Sequence, residues 1–64
     1  MRFNLMNFRK KKKLSQKTMA TLLEVSRPHY SDIENGKVSP SIDFAYKIKE
    51  VFDVDDVMEL LKKE

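Results

Sequence analysis

Arg27, Pro28, His29, Ser31 and Asp32 crowd one short stretch of the chain. Serine, histidine and aspartate are the ingredients of a nucleophilic hydrolase. Close neighbours on one short helix point in different directions, however, and cannot build a hydrogen-bonded relay. Metal chemistry fares no better, because His29 is the only histidine and cysteine is absent. Disulfides and cysteine nucleophiles are excluded with it. No catalytic residue, metal site or cofactor is expected. What is left is a set of hydrogen-bonding side chains around a proline. They follow a turn in which Glu24 holds a position that ordinarily favours glycine.

The charge distribution suggests what such side chains could meet. Residues 1–32 carry eight Lys or Arg against Glu24 and Asp32, net +6, whereas residues 33–64 carry five Lys against eight Asp or Glu, net −3. A basic front and an acidic back would orient the molecule toward a polyanion; the plainer reading is two solvated surfaces. At 64 residues and 7.6 kDa the expected organisation is one domain, residues 1–64, with a core only marginally sufficient by itself. Help from a second subunit fits that size. The first apolar stretch is broken at Asn4 and Asn7, so neither a signal peptide nor a membrane span is expected. The cysteine-free composition suits a reducing cytoplasm.

One glycine and two prolines leave little room for hairpins, and the periodicity reads as helix nearly throughout. Leu5 and Phe8 open a first helix with Asn4 available as its cap, and Lys10 to Lys13 suit its negative end. Ser15 or Leu14 starts a second helix whose inward face is Met19, Ala20 and Leu23. Glu24-Val25-Ser26 interrupts it. A third short helix presents Tyr30 and Ile33 on one side and ends at Asn35-Gly36. In Ser39-Pro40-Ser41 either serine can cap a fourth helix, with proline shaped for a first turn. That helix turns Ile42, Ala45, Ile48 and Phe52 inward, supported by Tyr46 or Val51. Asp53 to Asp56 cap a last helix with Val57, Leu60 and Leu61 apolar. The fold class is all-α, a compact bundle of five short helices.

The second and third helices form a unit of their own. Counting from Gln16, Ala20 stands fifth, Val25 tenth, Tyr30 fifteenth and Ile33 eighteenth. Two helices crossing at about 90 to 120° after a three- to four-residue turn approach closely at one point, which demands a residue as small as alanine. Val25 plugs the turn from beneath, while Tyr30 and Ile33 anchor the third helix and leave its start exposed. With "LSQ" (Leu14 to Gln16), "MATLLEVS" (Met19 to Ser26), "IENGK" (Ile33 to Lys37), "SPS" (Ser39 to Ser41) and "AYKIKEVF" (Ala45 to Phe52), the chain resembles the Cro/repressor-type (XRE) helix-turn-helix proteins. The resemblance runs from about Leu5 to Leu61 and implies a lambda-repressor-like DNA-binding domain, here as a minimal single-domain member. Three features depart from that pattern. Glu24 stands where relatives have glycine. Pro28 lies in the first turn of the recognition helix, so that helix is expected to begin at Pro28 with Arg27 extended, although alignment would make Ser26 the cap. The segment from Asp53 to Val57 is a residue or two short.

The resemblance places the start of the third helix in the major groove of double-stranded DNA. By position, Arg27, Pro28, Ser31 and Asp32 would face bases. Arg27 leads, because its planar fork matches both guanine acceptors. Pro28 offers apolar contact, and Asp32 could accept from a cytosine amino group or simply pair with a Lys or His29. Phosphate contacts would come from Gln16, Lys17, Ser26, His29, Asn35 and Lys37. The lysine run reads first as a solvated helix end that steers at long range. The implied function is a sequence-specific transcriptional regulator of the repressor type, working as a homodimer through the apolar face of Val57, Met58, Leu60 and Leu61 on half-sites about one helical turn apart. No small-molecule effector is expected. The alternative is a protein-interaction module, such as an antitoxin or a regulator's partner, using the same fold. RNA binding ranks below both, since no aromatic platform lies on the basic side.

Overall fold

A computed structural model describes residues 1–63, and among them five helices and no strand: α1 (Phe3–Lys11), α2 (Gln16–Leu22), α3 (Arg27–Glu34), α4 (Ile42–Phe52) and α5 (Val57–Leu60). Four of the five begin on a side-chain cap, an oxygen that accepts from the backbone N–H three residues on. Ser15 takes the N–H of Thr18, Ser26 that of His29, Ser41 that of Phe44 and Asp56 that of Glu59, at 3.0 to 3.2 Å. Ser41, and not Ser39, is therefore the cap of α4, and Pro40 stands before the helix instead of inside its first turn. The first helix differs. Its cap position is Arg2 with no side-chain cap bond, and Asn4 lies inside the helix, where its Nδ2 donates to the Glu59 carbonyl at 3.0 Å.

Helices α1, α2 and α3 share one way of ending. After each, the sixth residue's N–H returns to the first residue's carbonyl and the fifth's to the second's, the Schellman pattern. The pairs are Leu14 to Arg9 with Lys13 to Lys10, Val25 to Ala20 with Glu24 to Thr21, and Lys37 to Asp32 with Gly36 to Ile33. This pattern needs a left-handed residue, and the three are Lys13 (φ 59°), Glu24 (φ 59°) and Gly36 (φ 81°). Only the last is glycine. A side chain in this conformation costs about 1 to 2 kcal/mol, partly offset in a glycine variant by the freer unfolded chain. Lys13→Gly is accordingly expected to stabilise the fold by about 0.5 to 1 kcal/mol, seen as a melting midpoint roughly 2 to 8 °C higher. An unchanged or lower midpoint would show that Lys13 carries no backbone strain. At Glu24 the gain is smaller, because its carboxylate pairs with Lys47 Nζ at 3.0 Å and ties the turn to α4.

The core gathers Leu5, Met19, Ala20, Leu23, Tyr30, Ile33, Phe44, Ile48, Leu60 and Leu61. Phe8 meets Phe52 edge-on, with ring centroids 5.2 Å apart. The inward row of α4 is Phe44, Ile48 and Phe52, four residues apart, with Ala45 packed beside it. That row corrects the expected one: Ile42 and Tyr46 lie on a neighbouring stripe and face solvent, and Val51 is partly exposed. Leu60 and Leu61 are likewise spent inside the chain. Of the apolar face expected to form a subunit seam, Val57 packs on the core and only Met58 stands out. No helix among the described residues is long and apolar enough to cross a membrane.

Candidate nucleic-acid interface

The packing of α3 determines what it presents. Tyr30, Ile33 and Glu34 form its inward face, spaced three and four apart, and all three are essentially inaccessible. Ala20, at 2% exposure, lets α2 approach at the crossing, and half-buried Val25 sits beneath the turn. Two neutral anchors and a carboxylate thus hold α3 against the body.

The carboxylate is not isolated. Arg9 grips Glu34 with two parallel hydrogen bonds, Nε to Oε2 at 3.0 Å and Nη2 to Oε1 at 3.1 Å, while its Nη1 donates to the Leu14 carbonyl at 2.9 Å. Gln16 Nε2 also reaches Oε1, at 3.4 Å. Burial alone would raise the Glu34 pKa, but the Arg9 hydrogen bonds and charge, helped by Gln16, outweigh it and hold the carboxyl below its usual range. Hydrogen bonding to Glu34 raises the Arg9 pKa against a smaller opposing effect of burial. The Tyr30 hydroxyl is buried without a hydrogen-bond partner. Burial, then the neighbouring carboxylate, pushes its pKa far above the ordinary tyrosine value.

The opposite side of α3 is open. Ser26, Arg27, Pro28 and His29 are exposed, and Ser31 and Asp32 are half-buried. Arg27 is helical and not extended. Pro28 falls in the first turn, where its missing N–H would have no intrahelical partner anyway. Ser26 closes that turn as the cap, and its carbonyl accepts from the Tyr30 N–H at 3.0 Å. Arg27 and Ser31 then share one row along the helix and Pro28 and Asp32 the next.

The flanking candidates divide. Lys17 is exposed in the first turn of α2, and Lys37 is exposed just past Gly36. Asn35 donates its side-chain amide to Ser31 Oγ at 3.4 Å, so these two form a local pair. Gln16, expected at a phosphate, is half-buried with its amide turned toward Glu34. Ser26 Oγ accepts the capping bond, which leaves its proton able to donate outward, and His29 is exposed beside it. The lysine run splits. Lys12 Nζ lies 5.0 Å from the Phe8 ring and 5.6 Å from that of Phe52, Lys10 and Lys11 line a cleft against α5, and Lys13 occupies the turn.

A two-helix unit with a capped, outward-facing start, basic residues on both flanks and no cluster of metal-ligating groups among the described residues has the build of a nucleic-acid reader. Comparison with protein families agrees: a model described as helix-turn-helix matches residues 5–57. The chain belongs to the XRE-type helix-turn-helix family. Comparisons with curated proteins and with solved structures gave no match. Within this helix-turn-helix domain, the charged residues that sequence reasoning overlooked are Arg2, Arg9 and Glu34. For Glu34 a signal was present, because it stands four residues after Tyr30 and one after Ile33, on the face that must be buried. Arg2, 5% exposed, carried none. Together these three remove two cations from the basic front, leaving exposed Lys10 to Lys13, Lys17 and Arg27 as its working charge.

Proposed function

We propose that this protein is a sequence-specific regulator of transcription that reads double-stranded DNA with the start of α3 and acts as a repressor. The observation that carries the reading is the contrast along α3. One face is locked by Tyr30, Ile33 and the Arg9–Glu34 pair, while Arg27 and Pro28 at its leading end are open to solvent. A rigid helix with an accessible start is what major-groove reading requires. Arg27 supplies the bidentate donor for guanine; Pro28, Ser31 and Asp32 complete the base-facing set. Lys17, Lys37, Ser26 and His29 grip phosphates, with Asn35 and Gln16 contributing once they leave Ser31 and Glu34. Repression needs only occupancy, and a body measuring 26 × 23 × 23 Å seated in the groove obstructs a polymerase sterically. Two copies on half-sites about one helical turn apart give the affinity that a single small module lacks. Its work lies inside the cell, where DNA is, and it is not catalytic.

Selection of bound sequences from a random duplex pool tests the reading directly. Enrichment of a short motif containing guanine is expected, with affinity falling steeply as salt rises. Arg27→Ala should lose about 1 to 3 kcal/mol of discrimination at one base pair. Lys37→Ala should weaken binding to every sequence alike and reduce the salt slope by about one. If the two variants behaved identically across the pool, these roles would be wrong. Weak, unselective retardation of all genomic fragments would instead favour the protein-interaction reading.

A further inference from the structure

Three helices of this chain end on the same kind of left-handed turn, yet only one of those turns is built on glycine. Lys13 and Glu24 carry side chains at φ 59°, whereas Gly36 stands at φ 81°. The space beside Gly36 gives a reason. A Cβ placed there would lie 3.1 Å from Lys63 Cε and 3.1 Å from the Met1 backbone nitrogen. The first distance is shorter than the roughly 3.5 to 4.0 Å at which carbon atoms pack. Glycine thus admits the C-terminal segment, and the stem of Lys63 crosses the end of α3 where a side chain would otherwise sit.

We propose that Lys63 grips the DNA backbone: with Lys37, the residue after Gly36, it forms a phosphate-binding pole at the far end of α3. Both lysines are exposed, and neither forms an ion pair among the described residues. A helix ordinarily repels phosphate at this end, because its last carbonyls concentrate negative charge. Here every one of them is occupied. The Ser31 carbonyl accepts from the Asn35 N–H, that of Asp32 from Lys37 and Val38, that of Ile33 from Gly36 and Arg2 Nη1, and that of Glu34 from the Arg2 N–H. The buried Arg2 guanidinium also sets a fixed cation behind those carbonyls, 2.6 Å from the Ile33 oxygen. Two exposed ammonium groups in front of it give the pole a positive potential suited to a phosphodiester. By sequence, Lys63 belongs to the acidic half of the chain; the fold carries it to the end of α3. Lys63 and Arg2 both lie outside residues 5–57, so the match to the helix-turn-helix family supplies neither. The pole adds affinity without sequence selectivity, as backbone contacts do. Its ligand rests on the DNA-binding role proposed above.

Equilibrium binding across a salt series tests the pole, with one duplex enriched by selection and one of the same composition in scrambled order. Lys63→Gln keeps most of the stem over Gly36 and removes the charge. It is expected to reduce the salt slope by about 0.9 on both duplexes, an affinity about eightfold lower near about 0.1 M salt, with the preferred sequence unchanged. Lys63→Arg should bind as the wild type does, and Lys63→Gln combined with Lys37→Ala should reduce the slope by about 1.8. Lys49→Ala removes one charge from α4 and should keep the wild-type slope, which separates a local grip from net charge. Because Lys63 is exposed, its variants should melt with the wild type. Selective binding with an unchanged slope in Lys63→Gln, or with an equal loss in Lys49→Ala, overturns the pole and leaves the DNA-reading role standing. Unselective binding whose slope still falls in Lys63→Gln alone does the reverse. A wild type that binds neither duplex overturns both.

Discussion

Glu34→Gln should lower stability at pH 7 by about 3 kcal/mol, the low end for breaking a buried ion pair by removing one partner. The side chains of Arg9 and Glu34 are only 12% and 1% exposed, so water cannot readily replace the lost charge. A chain of this length has roughly 3 to 10 kcal/mol in total, and the variant would sit near the edge of folding. The effect must depend on pH in a defined direction. The folded carboxyl titrates below the ordinary 4.5, so its contribution is full above that value and disappears as pH falls through the lower folded value. Wild type and Glu34→Gln should therefore differ widely in urea unfolding at pH 7 and converge in strong acid. A gap that stayed constant would assign the effect to packing instead of charge. Joint replacement, Arg9→Met with Glu34→Leu, should recover part of the loss, since an apolar pair carries no charge to desolvate while the Leu14 carbonyl still loses its Arg9 donor. Because Glu34 stands on the buried face of α3, the single variant should also lose DNA affinity while the helix remains formed.

What was legible in the chain follows from which forces are local. Spacings of three and four residues exposed the inward faces of α2 and α3, and Ser15, Gly36 and Asp56 marked boundaries because capping and left-handed turns are settled within a few residues. Where a tertiary choice decided, periodicity was ambiguous. In α4, Ile42 and Phe44 are both apolar, and it is packing against the rest of the core, Tyr30 included with its ring 6.4 Å from that of Phe44, that selects which one turns inward. Leu60 and Leu61 looked like a seam because an apolar stripe reads the same whether it faces the chain's own core or another copy. At the start of α3, the preference of a residue before proline for extended backbone was real but small. It lost to two hydrogen bonds at Ser26, the side-chain cap and the first backbone bond of the helix, that cannot form unless Arg27 is helical.

Charge was the least legible property, because a sequence counts cations without saying which of them water sees. Arg2 makes the point most sharply. Its side chain donates Nε to the Leu61 carbonyl at 3.0 Å and Nη1 to those of Ile33 and Val38 at 2.6 and 3.1 Å, while its own N–H donates to Glu34. One residue thus ties the start of the chain to the end of α3, the loop after it and the last turn of the fold. Arg2→Met keeps a long apolar stem but strips three carbonyls of their donor. Charged donors of this kind contribute about 1.5 to 3 kcal/mol each, and the partly buried Val38 carbonyl can recover water, so a net loss of about 3 kcal/mol is expected. In a domain this small that lowers the melting midpoint by roughly 12 to 24 °C. Arg2→Lys should recover less than half, because a single ammonium cannot span donors fixed on two nitrogens of a planar fork. A midpoint within about 4 °C of wild type for Arg2→Met would mean that water replaces the guanidinium at all three carbonyls. Since the Ile33 carbonyl belongs to α3, hydrogen exchange should accelerate first at the end of that helix, linking Arg2 to the steadiness with which the exposed start of α3 is held.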